Sequence, residues 1–158
     1  MADGVHNISK GKINEYHDRV DSNDPANAVL VIYLLQVAEA DATLDDYDDL
    51  GALIGAAGNT EATFTNYARI ILDDTDITPS VVDDTNNRRE ADFADQTWAA
   101  AGGATNNSLV KLGVAYDSDS ATGTDANIVP MSHHDFVITT NGGDVTAQPA
   151  ATGYIRAS

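Results

Sequence analysis

The sequence predicts a mainly β protein: an antiparallel β-sandwich or barrel, preceded by an N-terminal helix or arm and carrying one short helix. Three observations lead there. From Ala28 onward, runs rich in β-branched and aromatic residues recur at a spacing of about 8–12 residues. Turn formers close them, as at Asp73-Asp74-Thr75-Asp76, Asp83-Asp84-Thr85-Asn86-Asn87 and Asn141-Gly142-Gly143. Helical spacing of apolar residues is confined to two short stretches. The 158 residues fit one β-rich domain, placed at 25–158, behind an arm or helix at 1–24.

Each element has its own warrant. Ile13, Tyr16 and Val20 recur at i, i+3 and i+7, and Pro25 stops whatever precedes it. The run Ala28-Val29-Leu30-Val31-Ile32-Tyr33-Leu34-Leu35 suits a strand buried on both faces. Tyr47, Leu50 and Ile54 predict a short helix within 44–57, with Asp45, Asp46, Asp48 and Asp49 complementing its dipole. Strands are expected at 64–72, 77–82, 89–95 and 108–116. A long acidic loop spans 117–127, and apolar character resumes at Ile128-Val129. Residues 135–140 and 144–148 read as a hairpin around Asn141-Gly142-Gly143, and 153–156 as a last short strand.

Charge narrows the function classes. Lys+Arg total 8 against 25 Asp+Glu, a formal net charge of −17. Such a chain repels nucleic acid and anionic membranes, so neither is an expected partner. With no cysteine, disulfide scaffolds and thiol chemistry are excluded. The longest apolar run is too short to span a bilayer, and no basic segment precedes an early apolar stretch, so no signal peptide is expected. Of the 25 acids 21 are Asp, and lysine occurs only at 10, 12 and 111, a style shared with proteins adapted to high salt.

The candidate chemical motifs are weak one by one. Consecutive aspartates at 45–49 diverge on a helix and read as a solvated N-terminus rather than an acid/base pair. The loop Asp117-Ser118-Asp119-Ser120-Ala121-Thr122-Gly123-Thr124-Asp125 has the flavour of a calcium site, but Ala121, Thr122 and Ile128 occupy positions where an EF-hand needs an oxygen ligand, Gly and Glu. No cofactor is expected, with a cation in loop 117–127 as the one exception left open. His133 and His134 point to opposite strand faces and chelate poorly; one is expected to face solvent, the other to be hydrogen-bonded at a strand start. No catalytic residue and no metal ligand is assigned, and an enzyme is not expected. Trp98 reads as a core or interface anchor. Arg88-Arg89 reads as a local pair with Asp83, Asp84 or Glu90, or as an inter-subunit ion pair. With Tyr16 and Arg19 of the N-terminal segment, these make five candidate protein-interface residues: Tyr16, Arg19, Arg88, Arg89 and Trp98.

Several blocks resemble small virion structural proteins of tailed phages and related viruses. They are 11–28, with Glu15-Tyr16, Arg19-Val20 and Ser22-Asn23-Asp24-Pro25-Ala26-Asn27-Ala28; 39–57, with Asp46-Tyr47-Asp48-Asp49-Leu50; and Asn59-Thr60-Glu61-Ala62-Thr63 on to Asn66-Tyr67-Ala68-Arg69. The best is Val82-Asp83-Asp84-Thr85-Asn86-Asn87-Arg88 followed by Asp95-Gln96-Thr97-Trp98. Ile128-Val129-Pro130, His134-Asp135-Phe136 and residues 150–158 complete it, so the resemblance covers nearly the whole chain. It implies a capsid decoration or minor capsid protein, located in the virion, partnered by the major capsid protein or other virion proteins, and forming homo-oligomers. The heavier acid load departs from the usual pattern and fits a virus of a halophilic host. No active site is carried over. Two other readings stand beside it: a carbohydrate- or receptor-binding β module of a spike or fibre, and, last, a metal-dependent hydrolase. The N-terminal segment is the expected arm to neighbouring subunits.

Overall fold

The structure, a computed structural model, describes residues 3–150 and 153–157, the last two by their backbone; Ala151, Thr152 and Ser158 of the C-terminal block lie outside the described residues. In chain order the elements are β1 (Gly4–Val5), a 3-10 turn (Asn7–Ser9), α1 (Ile13–Asp21), β2 (Val29–Val37), α2 (Asp41–Leu44), α3 (Leu50–Gly55), β3 (Thr60–Glu61), β4 (Ile70–Leu72), β5 (Ile77–Asp83), β6 (Arg88–Phe93), β7 (Gln96–Trp98), β8 (Ser108–Asp117), a second 3-10 turn (Asp125–Asn127), β9 (Val129–Thr139), β10 (Val145–Ala147) and β11 (Ile155–Ala157). Among the described residues every strand pairing is antiparallel.

The main sheet runs β1-β9-β8-β2, with β3 and β4 sharing the far edge of β2. A three-stranded sheet β11-β6-β5 and a two-stranded ribbon β10-β7 are separate from it, so the strands do not close into a barrel. The core lies on both faces of β2, as its unbroken apolar run predicts. Leu30, Ile32 and Leu34 are fully buried and meet Leu112, Val114, Met131, Phe93, Trp98 and the α1 side chains Ile13 and Val20. Val29, Val31, Tyr33 and Leu35 face the other way, onto Leu44, Leu50 and Leu53 of α2 and α3. Each such aliphatic side chain stabilises the fold by about 1.5–3 kcal/mol. Gly113 lies directly opposite Tyr33, and a Cβ there would stand 2.1 Å from the ring. The glycine is what lets the phenol lie across β8.

The edge of β2 is completed without a continuous strand. β4 pairs with Leu30–Ile32 and β3 with Leu35 and Val37. In the gap, the Leu34 N–H donates to the Tyr67 hydroxyl at 3.1 Å, and the Ala62 N–H donates to the Leu34 carbonyl at 2.8 Å. Both backbone groups of this buried residue are thereby satisfied, as burial requires.

Four expectations are corrected. The strand expected over 64–72 is only Ile70–Leu72, because Asn66 adopts a left-handed backbone (φ 72°) that folds 62–69 into a loop with Phe64 buried beneath it. The helix expected within 44–57 is split: α2 ends at Leu44, and α3 begins only after Asp49, whose carboxylate accepts the Ala52 N–H at 2.7 Å. The hairpin of 135–140 with 144–148 does not form. β10 pairs instead with β7, Val145 opposite Trp98, because the turn at Asn141–Gly143 is held by Ala101 through backbone hydrogen bonds to Gly142 and Gly143. This turns Val145 and Ala147 into the core beside Trp98. Finally, β9 runs unbroken from Val129 to Thr139, so His133 and His134 sit in mid-strand rather than at a strand start.

Residues 13–21 form the expected helix, and it is built into the core rather than extended from it. Besides Ile13 and Val20, its Tyr16 ring stacks on Tyr116 at 4.8 Å. His17 is fully buried, with Nε2 2.7 Å from the Thr78 carbonyl oxygen on β5 and Nδ1 3.3 Å from the Tyr154 hydroxyl.

Candidate functional site

Two places gather chemistry-bearing groups: a histidine cluster under the N-terminal segment, and the ribbon made by β5 and β6.

The histidine cluster forms because β1 lies along β9 with Gly4 opposite His133 and Val5 opposite Ser132. The His6 N–H continues this pairing by donating to the Met131 carbonyl at 3.1 Å. His6 is thereby fully buried, its ring edge-on to His133 at a centroid distance of 5.3 Å. His133 faces the helical layer, where its Nε2 lies 2.9 Å from Asp45 Oδ1. Neither ring nitrogen of His6, nor Nδ1 of His133, has a hydrogen-bond partner among the described residues. Burial, and then the neighbouring His133, push the His6 imidazole down to about 4; the Leu44 carbonyl and Asp45 oppose this without giving His6 a well-formed hydrogen bond. Nothing in the local sequence signals this meeting of residues 6 and 133.

On the opposite face of β9, His134 Nε2 lies 3.0 Å from Ser132 Oγ, and its Nδ1 lies 3.5 Å from Asp3 Oδ2. Burial lowers the basicity of His134, with Asp3 opposing. The order Ser–His–Asp is that of a nucleophilic triad, but Ser132 is fully buried, and a nucleophile must reach its substrate. Next to His134, a cavity of about 310 Å³ is lined by Phe93, Phe136, Tyr154, Gln148 and Asp135.

The aspartates of 45–49 diverge, as their spacing predicts; Asp48 is exposed, and the other three engage the protein rather than solvent alone. Asp45 holds His133, Asp46 accepts the Asn7 side-chain amide at 2.6 Å, and Asp49 caps α3. In loop 117–127, Asp117 and Asp119 accept backbone N–H groups of their own loop, and Asp125 turns away to Arg69. Lys111 is fully buried between Asp41 (2.8 Å) and Asp135 (2.7 Å). Burial pulls its ammonium down, and hydrogen bonds to the two carboxylates outweigh that and hold it above its usual value.

The five candidate interface residues have separate settings. Trp98 is buried, and its Nε1–H donates to the Ala68 carbonyl at 2.9 Å. Tyr16 is half-buried against Tyr116, and Arg19 pairs with Glu15 one helical turn earlier. Arg88 lies between Asp83 (2.9 Å) and Glu90 (2.8 Å), the local pairing weighed above. Arg89 reaches Asp18 of α1 at 2.7 Å and Ser80 at 2.9 Å, so helix and ribbon are tied within one chain.

Pattern reading missed what the ribbon exposes. β5 is the edge of its sheet, and the register shifts between Thr78 and Val81, at Pro79-Ser80. Up to Ser80 this edge is bonded to α1 through His17 and Asp18. Beyond it, Val81 and Val82 are 56% and 62% exposed, one on each face. The tight turn Asp84–Asn87 then returns the chain to β6.

No known protein family, curated protein or solved structure matches this chain.

Proposed function

We propose that the protein is a structural component of a tailed-virus particle, a capsid decoration or minor capsid protein that stabilises the head through symmetric protein–protein contacts. The observation that carries the reading is the β5–β6 ribbon, which presents consecutive exposed valines on a sheet edge beyond the point where α1 covers it. Edge strands with apolar side chains are ready templates for pairing with another chain. The resemblance of several sequence blocks to small virion proteins suggests the kind of partner, and two of those blocks, 82–88 and 95–98, include the ribbon tip and the strand that follows.

The test is mass in solution at low and molar salt, followed by co-sedimentation with particles that lack the protein. Symmetric oligomers or saturable binding to particles are expected. Val82→Asp should leave stability within about 0.5 kcal/mol, because the side chain is exposed, and should abolish particle binding. A monomer at both salts that ignores particles, or a Val82→Asp variant that binds them unchanged, refutes the reading. The aromatic lining of the cavity beside His134 favours the second reading, a carbohydrate-binding module. Saturable binding of an oligosaccharide, lost on Phe136→Ala, would put it first.

A further inference from the structure

We propose that residues 4–10 form an acid-released latch: protonation of His6 undocks β1 and the turn after it, and exposes the β9 edge at Ser132 and His133.

The latch is a separable unit. Its polar ties run to β9 and to the turn after α2: the β1 ladder, His6 N–H to Met131, Asn7 N–H to the Asp45 carbonyl (2.7 Å), Asn7 Nδ2 to Asp46 Oδ1 (2.6 Å) and Ser9 Oγ to the Pro130 carbonyl (2.7 Å); half-buried Val5 packs against the margin of the main core. At its far end Gly11 adopts φ +81°, with nothing within 4 Å of where a Cβ would stand. Across this hinge a backbone hydrogen bond, from the Lys12 N–H to the Ser9 carbonyl (2.9 Å), joins the latch to α1, which is anchored independently by Ile13, His17 and Val20.

His6 is the weak point because its site accepts a neutral ring only. The titratable groups facing it are His133 from β9, Asp45 and Asp46 from the turn after α2, and Lys10 from the latch itself; His134 and Asp3 lie on the far side of β9. Asp45 is the carboxylate placed to answer a charge on His6, and it is already engaged by His133 at 2.9 Å and Lys10 at 4.0 Å. A proton on His6 therefore creates a buried cation beside a second imidazole. Once undocked, the same ring is solvated and takes the proton freely.

The sign follows from linkage. The docked ring titrates at about 4 and the free ring at 6.5, so the docked state binds fewer protons and loses ground as pH falls from 6.5 toward 4. Between those limits the open-to-docked ratio rises about five- to sevenfold per pH unit, reaching about 20-fold at pH 5 relative to pH 7.

Amide hydrogen exchange on the full-length protein, corrected for the intrinsic pH dependence, tests this. Protection at His6 and Asn7 should fall about 20-fold between pH 7 and pH 5, while β2 and β8 amides and Trp98 fluorescence hold steady. His6→Phe, which fills the site with an uncharged ring, should make that protection flat with pH. A flat wild-type profile, or an equally steep loss in His6→Phe, overturns the proposal. Should the variant fail to dock at pH 7, the His6 ring is followed by NMR in the wild type. Titration near 4, together with loss of the latch contacts, supports the latch; titration near 6.5 with the latch still docked overturns it.

Discussion

Arg69→Met should destabilise the fold by about 3 kcal/mol. The guanidinium makes a fork with each of two carboxylates: Nε and Nη2 to Glu61 at 2.7 and 2.8 Å, Nη1 and Nη2 to Asp125 at 2.5 and 3.0 Å. It thus joins β3 to the 3-10 turn that ends the acidic loop. Removing one partner of a buried ion pair costs about 3–5 kcal/mol, because the charges left behind are uncompensated. Arg69 and Glu61 are 22% and 21% exposed and Asp125 39%, which places the expected value at the low end. Methionine keeps the apolar stem, so the loss reports the charge. The assay is urea unfolding followed by Trp98 fluorescence, a local reporter because its indole bonds to Ala68, the neighbour of Arg69. pH supplies a second arm. Arg69 holds the Asp125 carboxyl below its ordinary 3.8, so the stabilisation is present above that value and is lost as pH falls through the lowered one. The gap between wild type and variant should therefore narrow in acid. A gap under about 0.5 kcal/mol at pH 7, the range of an ordinary surface substitution, would refute the clamp.

Two further outcomes follow from the fold and the charge. Gly113→Ala should cost about 1–3 kcal/mol in the same assay, because a Cβ at 2.1 Å forces the fully buried Tyr33 ring to move; an unchanged midpoint would mean that the ring has another place to go. Stability should rise with salt toward molar concentrations, since 25 acids face 8 bases and the screening length falls to about 3 Å at 1 M. A flat or falling curve would count against a salt-adapted surface.

What was legible in the sequence is what local pattern determines. β2 announces itself by an apolar run with no polar interruption, β8 by alternation, α1 by the spacing of Ile13, Tyr16 and Val20. Pairing partners were less legible. Asn141-Gly142-Gly143 is a sound turn signal, but the backbone of Ala101, forty residues earlier in sequence, decides that the chain leaving it pairs with β7. β9 was hidden because Pro130, Ser132 and the two histidines interrupt its apolar character, although their neighbours on β8 and β1 give them a place. At the candidate sites, the opposite facing of His133 and His134 follows from strand geometry alone. The partnership of His133 with His6 and Asp45 does not, since it depends on β1 and the turn after α2 arriving from distant parts of the chain. Likewise Val81 and Val82 look like core residues until the register shift at Pro79-Ser80 and the position of α1 are known.

The acid load takes on a different meaning once its partners are named. Asp18, Asp41, Asp45, Asp83, Asp125 and Asp135, with Glu15, Glu61 and Glu90, are each committed to a basic side chain of the same molecule. Those bonds engage Lys10, Arg19, Arg69, Arg88, Arg89 and Lys111, most of the 8 basic residues in the chain. The cations are thus spent internally, and aspartates such as Asp48, Asp74 and Asp84 stand on the surface against little positive charge. Two copies meeting at low ionic strength therefore repel over most of their surfaces. Contact is least opposed where apolar side chains are exposed and the adjacent charges are already paired. The β5–β6 ribbon meets both conditions, with Val81 opposite Glu90, which is paired with Arg88, and Val82 opposite Arg89, which is paired with Asp18. Association through the ribbon should accordingly strengthen with salt, because screening removes the long-range repulsion while apolar burial persists. An ion-pair interface would weaken under the same change.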